Sequence, residues 1–303
     1  MTVNLQQMIN SPLAVRLVSF VARIIPPGVG YPLCDFIGDW IAARHTSMLT
    51  RAIRTNQWVV RGTNLEKREL DRAVETTLRN NARDIYTLHH NFQNPKAIQR
   101  MIIMHPMERE LVERPEFATR GLVIVGLHLS NFDLVLQSIC QQGFKGMVLT
   151  IPNPQGGRRV EYEMRKKTGM NLVPASVPSL RQAVKHLERG GTVFTGLDRP
   201  VRDPKHYPKF FGHAASLPTH YIFLALKAHV PVVIMAAIQQ ADENYHVMSS
   251  EPIEMEHDSD QGREIVRNAE RVLKQAETFI QMAPQQWNVP LPVWPELLDI
   301  VPG

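Results

Sequence analysis

Short apolar runs alternate with amphipathic segments along the second half of the chain. Five runs, most of them rich in β-branched residues, predict strands: LVIVGL (122–127), MVLTI (147–151), TVFTGL (192–197), VPVVIMAAI (230–238) and His246–Ser250. Helical patterns lie between or after them, at Phe132–Gln142, Gly157–Thr168, Val177–Arg189, Pro218–Ala228 and Ser259–Met282. This alternation predicts the α/β class, with a largely parallel mixed sheet flanked by helices.

The segment LAVRLVSFVARII (13–25) is the most hydrophobic part of the N-terminal region. As a helix it is apolar all round except for a narrow stripe of Arg16, Ser19 and Arg23, and two prolines follow it. It fits either a core helix with a thin polar edge or a helix that lies in a membrane interface, with its arginines at the headgroups. No run in the sequence reaches the roughly 18 apolar residues of a membrane-spanning helix.

Helical periodicity continues over residues 66–92, and no internal repeat or flexible linker divides the chain. We therefore predict a single domain over residues 1–303. Its parts are a helical N-terminal portion (1–118), which includes the amphipathic helix 13–25, and an α/β core (119–290).

Composition and charge narrow the class of protein. The 303 residues include 34 Lys and Arg against 29 Asp and Glu, a formal charge of +5. This balance fits an anionic lipid surface or an acidic partner, and the dense basic stripe of a nucleic-acid-binding protein is missing. Two distant cysteines, Cys34 and Cys140, give no disulfide framework and no zinc motif, so we expect a reducing cytoplasmic environment and no metal site. The first ten residues also lack the pattern of a secretory signal.

The stretch GLVIVGLHLSNFD (121–133) places His128 directly after a predicted strand and Asp133 five residues later. Ligands collect at the carboxyl edge of a parallel sheet, which is where His128 is expected. If Asp133 lies in the first turn of the next helix, its carboxylate can bind one imidazole nitrogen and leave the other as a general base. The alternative is a capping box formed by Ser130 to Asp133, in which Asp133 only caps the helix.

Other catalytic signatures are absent from the sequence. It contains no G-x-S-x-G elbow, phosphate-binding loop, H-E-x-x-H motif or dinucleotide-binding fingerprint. A His/Asp pair without an activated Ser or Cys suits a direct transfer, in which the base deprotonates a substrate hydroxyl that attacks an activated carbonyl.

Three further stretches carry charged or aromatic residues near predicted strand ends. NPQGGRRVEYEMRKKTG (153–169) is rich in basic residues. These residues either belong to a functional site or only form a solvated helix face. GGTVFTGLDRP (190–200) puts Asp198 at the end of a strand, at the edge where sites form. The alternative is that Asp198 only begins a turn. PKFFGHAASLPTHYIFLAL (208–226) places two phenylalanines before Pro218, which is expected at the first position of a helix.

Together and in this order, these stretches resemble the lysophospholipid acyltransferase superfamily, in particular its branch of bacterial lipid A late acyltransferases and phosphatidylinositol mannoside acyltransferases. The resemblance rests on HLSNFD for the H-x4-D motif, NP with R-K-K-T-G for the second block, GGTVFTGLD for the third and FFGHAASLPT for the fourth. APQQW (283–287) is similar to the family's C-terminal P-x-Q-W element. The similarity covers roughly residues 65–290 and implies a glycerol-3-phosphate acyltransferase-like fold.

The resemblance implies a role for each matching residue. His128 would be the general base, and Asp133 would orient it. Arg165 would contact an acidic head group or a phosphate of a substrate. Asp198 matches the aspartate of the third block, and Pro218 lies in the fourth block near the acceptor site; the resemblance makes both of them substrate-binding candidates.

Two more residues are substrate-binding candidates. Arg158 belongs to the basic second block, which would serve the phosphates of the donor, an acidic carrier protein or the acceptor head group. Phe211, like Phe132 and Phe210, is a candidate for the wall of an apolar acyl groove, and packing in the core is the alternative for all three.

The expected function is the transfer of a fatty acyl group from acyl-CoA or acyl carrier protein to a hydroxyl of a lipid or glycolipid. No cofactor is expected, and the protein would lie on the cytoplasmic face of the plasma membrane, in peripheral contact through helix 13–25. The alternatives are a thioesterase or lipid hydrolase that uses the same base, and a non-catalytic lipid-binding protein. The chain departs from the family pattern at His220, where glycine is frequent, and at Arg199 and Pro200, where an acidic residue or glutamine is frequent.

Overall fold

The computed structural model describes residues 11–92, 94–106, 108 and 119–302. Its strands are β1 (Ile102–Met104), β2 (Leu122–Gly126), β3 (Met147–Thr150), β4 (Asn171–Pro174), β5 (Thr192–Gly196), β6 (Lys209–Phe210), β7 (His213–Ala214), β8 (Val232–Gln239) and β9 (Tyr245–Ser249). Seven of them form one sheet in the order β1-β9-β8-β2-β5-β3-β4, and β6 and β7 form a separate hairpin. Neighbours in the large sheet are parallel except for β8 and β9, which are antiparallel. The predicted α/β class and the largely parallel mixed sheet are confirmed.

Helices flank this sheet and precede it. They are α1 (Pro12–Ile24), α2 (Pro27–Ala42), α3 (Met48–Val60), α4 (Lys67–Asn91), α5 (Pro95–Met101), α6 (Phe132–Gln141), α7 (Gly157–Lys166), α8 (Val177–Glu188), α9 (His220–Ala228) and α10 (Gln261–Met282). Because successive side chains of a strand point to opposite faces, β2 contributes to two cores. Val123 and Val125 pack with α8, α9 and α10, whereas Leu122 and Ile124 pack with α5 and α6.

The predicted strands and helices of the α/β region agree with the structure to within two residues at each end. Pro218 was predicted at the first position of a helix, and this is wrong. α9 begins at His220 with Thr219 as its N-cap, so Pro218 precedes the helix. β4 was not predicted, since this edge strand is only partly buried and lacks a continuous apolar run. β1 lies within the portion that was predicted to be helical, and it pairs with β9 at the other edge of the sheet.

Helices α1 and α2 expose large apolar side chains. Leu13 of α1 is 78% exposed and Phe20 is 63% exposed, and others on the two helices are also exposed: Leu17, Ile24, Val29, Leu33, Phe36 and Trp40. Only a narrow side of α1, at Val15, Ser19 and Ala22, faces the protein. The interpretation of residues 13–25 as a core helix is therefore wrong, because the apolar side chains lie outside the core. None of the helices in the described ranges is long and apolar enough to cross a membrane.

The pair of prolines that ends α1 also opens α2, since proline is well suited to the first position of a helix. The buried positions of α2 form a stripe of small residues, Gly30, Cys34, Gly38 and Ala42, which faces α4. A Cβ at Gly38 would lie only 2.7 Å from the backbone nitrogen of Arg79 in α4. These small side chains allow the two helices to pack closely and leave the large apolar residues of α2 on the outside.

Candidate active site

His128 and Asp198 come together at the carboxyl edge of the sheet. β2 and β5 are parallel neighbours, and Gly126 lies opposite Gly196 in the register. His128 and Asp198 each follow their glycine by two residues, so the register brings them side by side although they are 70 residues apart in the chain. Nδ1 of His128 lies 2.6 Å from Oδ1 of Asp198.

The Asp198 side chain is fully buried, and its second oxygen is hydrogen-bonded as well. Oδ2 accepts hydrogen bonds from the backbone N–H of His128 at 2.9 Å and from the indole N–H of Trp287 at 2.7 Å. Burial acts to raise the pKa of Asp198, but the attraction of His128 and the hydrogen bonds from His128 and Trp287 outweigh it and hold the pKa below its ordinary value. Asp198 is therefore an ionised acceptor, and it places the imidazole proton on Nδ1.

The segment that follows α10 holds the loop after β2. The N–H of Asn288 donates to the carbonyl of His128 at 2.7 Å, and the N–H of Ser130 donates to the carbonyl of Gln286 at 2.7 Å. Leu129 forms an isolated β-bridge with Trp287. Ser130 has a left-handed backbone with a φ of 51°, which turns the chain from this bridge into α6. The P-x-Q-W element thus fixes both His128 and its carboxylate partner.

Asp84 ties α4 to the same loop. Its backbone carbonyl accepts from Nδ2 of Asn131 at 2.9 Å, and its carboxylate accepts from Nδ2 of Asn288 at 2.6 Å. Burial raises the pKa of Asp84 to about 7, against the lowering effect of hydrogen bonds from Asn288 and Tyr245. The N-terminal helices therefore support the residues on either side of His128.

Asp133 makes no hydrogen bond to the imidazole. Its Oδ2 accepts from a terminal nitrogen of Arg165 at 2.6 Å, and among the described residues its Oδ1 has no hydrogen-bond partner. A capping box is not formed either, because no side chain caps α6 and, within the described part of the chain, the Ser130 hydroxyl is unpaired. Both interpretations of the His-x4-Asp spacing were wrong about the contacts of Asp133. The first turn of α6 directs Asp133 towards α7, and Asp198 approaches the imidazole from the neighbouring strand.

A cavity of about 270 Å³ opens beside His128. The His128 side chain is only 15% exposed, and the Phe132 ring contacts it edge-on with the ring centroids 4.4 Å apart. The cavity wall is mostly apolar and includes Leu136, Val148, Leu172 and Phe194. Because Asp198 occupies Nδ1 of His128, Nε2 is the nitrogen that can act on a ligand in this cavity.

Charged side chains line one part of the cavity. They are Arg158 and Arg165 of α7, Glu161 of the same helix, Asp133 of α6, and Arg199. Burial raises the pKa of Glu161, and the nearby arginines oppose that shift. The cavity therefore combines an apolar wall with a polar, positively charged part next to His128.

Some of the predicted substrate-binding residues line the cavity, and others pack in the core. Arg158, Arg165 and Pro218 line the cavity, as does Phe132. Phe211 does not line it, since its ring packs against Phe210 and Trp294. Phe210 is fully buried between aromatic rings, so packing in the core accounts for both phenylalanines.

Sequence reasoning missed three features of the site. It gave Asp198 a substrate contact, whereas the structure shows Asp198 bonded to His128. A signal was available, because the two strands end in the same way, VGLH at 125–128 and TGLD at 195–198. Trp287 was noted only as part of the APQQW resemblance, which gave it no role. His220 was noted only as a departure from the family, yet it lines the cavity, and its Nε2 lies 2.8 Å from the Thr195 hydroxyl. Burial lowers the pKa of His220 to about 4.

This arrangement has the chemistry of a general base. A buried carboxylate orients an imidazole, and the free nitrogen of that imidazole faces a cavity that can hold an apolar chain next to an anionic group. Among the residues that the structure describes, no group of three or more His, Cys, Asp and Glu side chains is arranged to hold a metal ion.

Comparison with known proteins assigns the chain to a family. No curated protein matches the chain. A family model does match, that of the bacterial lipid A biosynthesis acyltransferases, and it covers residues 7–294. Since that span is nearly the whole sequence, and since the four sequence blocks resemble the same group, the chain belongs to the bacterial lipid A biosynthesis acyltransferase family.

Proposed function

We propose that this protein is an O-acyltransferase that moves a fatty acyl group from acyl-CoA or acyl carrier protein to a hydroxyl of a membrane lipid or glycolipid. The observation that carries the proposal is the hydrogen bond of 2.6 Å between His128 and the buried Asp198, beside a largely apolar cavity. The family assignment supports acyl transfer to a lipid. His128 is the proposed general base, and Asp198, in place of Asp133, is its proposed positioning residue.

The proposed reaction needs one base and no covalent enzyme intermediate. Nε2 of His128 takes the proton of the acceptor hydroxyl as its oxygen attacks the thioester carbonyl, and a tetrahedral intermediate forms. When the intermediate collapses, the C–S bond breaks, and the imidazolium returns the proton to the leaving thiolate. Asp198 stabilises the imidazolium while it exists, because its negative charge is 2.6 Å from Nδ1.

The start of α6 is the proposed site for the negative charge that develops on the carbonyl oxygen. The first N–H groups of a helix have no acceptor within that helix, and the helix dipole favours negative charge there. α6 begins at Phe132, just after the turn that follows His128, and the Phe132 ring contacts the imidazole. The acyl chain would lie along Leu136, Val148 and Phe194.

The exposed apolar surface of α1 and α2 is the proposed membrane contact. Leu17 and Phe20 project from α1 on the side away from the protein, and the exposed Arg16 and Arg23 would meet anionic headgroups. α1 also packs against α7, which carries Arg158 and Arg165 of the cavity. A lipid in the adjoining bilayer leaflet would therefore have a short path to His128. The donors are cytosolic molecules, so we propose the cytoplasmic face of the membrane.

The chemistry is tested with purified His128→Ala, assayed with palmitoyl-CoA and a lipid extract as acceptor. We expect turnover to fall to background with unchanged circular dichroism, because no other described base with a carboxylate partner lines the cavity. Wild-type rates in this variant would rule out His128 as the base. Release of free fatty acid by the wild-type protein at the same rate with and without acceptor would identify a thioesterase instead. Mass spectrometry of the acylated lipid identifies the acceptor.

Membrane contact is tested by co-sedimentation with phosphatidylglycerol-containing vesicles. Leu17→Asp/Phe20→Asp and Arg16→Glu/Arg23→Glu should both weaken binding, since the first removes the apolar contact and the second reverses the charge. Val177→Asp is the matched control, because Val177 is also an exposed apolar residue but lies on α8. Equal binding by all four proteins would show that α1 is not the membrane contact.

A further inference from the structure

His220 is the first residue of α9, and it lines the cavity beside His128. Its Nε2 lies 2.8 Å from the hydroxyl oxygen of Thr195, a buried residue of β5. Within the described part of the chain, Nδ1 of His220 has no hydrogen-bond partner, and it is not among the enclosed atoms that lack one. Nδ1 is therefore open to the cavity, where a bound molecule can reach it.

The contact with Thr195 decides which nitrogen of His220 carries the proton. Among the described residues, His220 is the hydrogen-bond partner of the buried Thr195 hydroxyl. If Nε2 were protonated, it would donate to the Thr195 oxygen, and the hydroxyl proton would be buried without an acceptor, which is unfavourable. The hydroxyl therefore donates to Nε2, and the imidazole proton lies on Nδ1. Burial lowers the pKa of His220 to about 4, so the ring is neutral at about pH 7.

Both cavity histidines lie next to the end of β5. Thr195, which holds His220, directly precedes Gly196 in this strand. A Cβ at Gly196 would lie 3.4 Å from Cε1 of His128, and apart from its chain neighbours nothing else described lies within 4 Å of it. Gly196 therefore leaves open space beside His128, and a group that reacts at His128 comes close to the N–H of His220.

We propose that Nδ1–H of His220 donates a hydrogen bond to the carbonyl oxygen of the thioester and stabilises the negative charge that develops there. A neutral imidazole suits this role, because it offers an N–H donor and does not compete with His128 for the proton of the acceptor hydroxyl. The inference rests on the proposed acyl transfer. His220 would act together with the first N–H groups of α6.

In the proposed step, the acceptor oxygen bonds to the carbonyl carbon, and the π electrons of the C=O bond move to the carbonyl oxygen. Nδ1 of His220 keeps its proton and holds this oxygen by a hydrogen bond, which is stronger to a negative oxygen than to a neutral carbonyl. When the C=O bond re-forms, the C–S bond breaks, and His128 passes the proton it took to the thiolate. His220 therefore stabilises the transition state more than the bound substrate, and its loss should act on kcat more than on KM.

Kinetic measurements on three variants separate this role from a structural one. His220→Phe keeps a ring and removes the donor, so kcat with palmitoyl-CoA should fall by about 10²–10³-fold with little change in KM. His220→Asn should lose no more than about 10-fold, because its NH₂ group can take the place of Nδ1–H. Thr195→Val, the matched control, removes the partner of His220 and keeps the donor, so it should lose less than His220→Phe. Equal losses in His220→Phe and Thr195→Val, or full kcat in His220→Phe, would overturn the proposal.

NMR of the wild-type protein tests the donor without acyl transfer. Nitrogen-15 spectra at about pH 7 should show the neutral Nδ1–H tautomer of His220. The dethia analogue of palmitoyl-CoA, a ketone in which a methylene group replaces the sulfur, should shift the Nδ1–H signal downfield. Hexadecyl-CoA, a thioether without a carbonyl, should not.

The Nε2–H tautomer, or the same response to both analogues, would overturn the proposal even if every variant folds poorly. Absence of acyl transfer by the wild-type protein would instead refute the proposed function. The response to the ketone analogue would then still decide whether His220 is a donor to a carbonyl in this cavity.

Discussion

Replacing Asp198 by asparagine tests the arrangement of the site most directly. The carboxylate accepts three hydrogen bonds, from Nδ1 and the backbone N–H of His128 and from the indole of Trp287. Asparagine has nearly the same shape but only one acceptor oxygen, and its NH₂ group is a donor. Asp198→Asn therefore has to satisfy three donors with one oxygen.

Energies decide which way the amide turns. If its oxygen faces Nδ1, two buried N–H groups face the NH₂ group and lose their acceptor, at about 1–3 kcal/mol each. If its oxygen faces Trp287 and the backbone N–H, only the imidazole has to adapt, by moving its proton from Nδ1 to Nε2. The second orientation is favoured. It leaves Nε2 protonated, so that His128 cannot take the proton of the acceptor hydroxyl.

We expect Asp198→Asn to lower kcat by about 10²–10⁴-fold, or roughly 3–5 kcal/mol of transition-state stabilisation, with little change in KM. The assay is acyl transfer from radiolabelled palmitoyl-CoA to the identified acceptor, at saturating concentrations of both. Nitrogen-15 NMR of His128 should show the Nε2–H tautomer in the variant and the Nδ1–H tautomer in the wild-type protein.

Asp133→Asn provides the contrast. Asp133 is bonded to Arg165 and not to the imidazole, so this variant should change substrate affinity more than kcat and should leave the tautomer of His128 as it is. The opposite result, a fully active Asp198→Asn together with an Asp133→Asn variant that has lost its kcat, would refute the reasoning. It would return the orienting role to the H-x4-D aspartate.

Three further predictions concern the support of the site. Trp287→Phe removes a donor to the buried Asp198, so the free energy of unfolding in urea should fall by about 1.5–3 kcal/mol, and no change would contradict the contact. Because burial raises the pKa of Asp84 to about 7, its contribution to stability is present at acidic pH and lost as pH rises through about 7. Asp84→Asn should therefore reduce the loss of stability between about pH 5 and about pH 8 by about 2–3 kcal/mol, whereas an identical slope would argue against the raised pKa. Gly38→Ala would place a Cβ 2.7 Å from the backbone of α4 and should destabilise the fold by about 1–3 kcal/mol in thermal denaturation, while Gly28→Ala, where nothing lies within 4 Å, should not.

The strands and helices of the α/β region could be read from the sequence because each depends on local periodicity. A buried strand such as LVIVGL shows its β-branched run, and the amphipathic helices between the strands show theirs. The edge strand β4 lacks such a run, so it was not predicted. α2 lies in the portion that was predicted to be helical, but its bounds were not predicted, and its large apolar residues lie on the exposed side. The sequence also left open whether α1 is exposed, because the pattern of apolar residues is the same in a core helix and in a helix that lies on a membrane.

The position of His128 also followed from the sequence, because any residue just after a strand of a parallel sheet lies at its carboxyl edge. The partner of His128 did not follow. Asp133 was the nearest carboxylate along the chain, but the first turn of α6 points it at Arg165. Asp198 is 70 residues away and reaches the imidazole only because β5 pairs with β2 in a register that sets Gly196 opposite Gly126.

By itself, then, the sequence determined the class of fold, the edge of the sheet at which the candidate site lies and the histidine at the centre of that candidate site. The tertiary structure decided which carboxylate is hydrogen-bonded to that histidine, and that Trp287 donates a hydrogen bond to the same carboxylate. The physical reason is the range of the interactions. Periodicity and capping act over a few residues, whereas strand register and burial join residues that the chain keeps far apart.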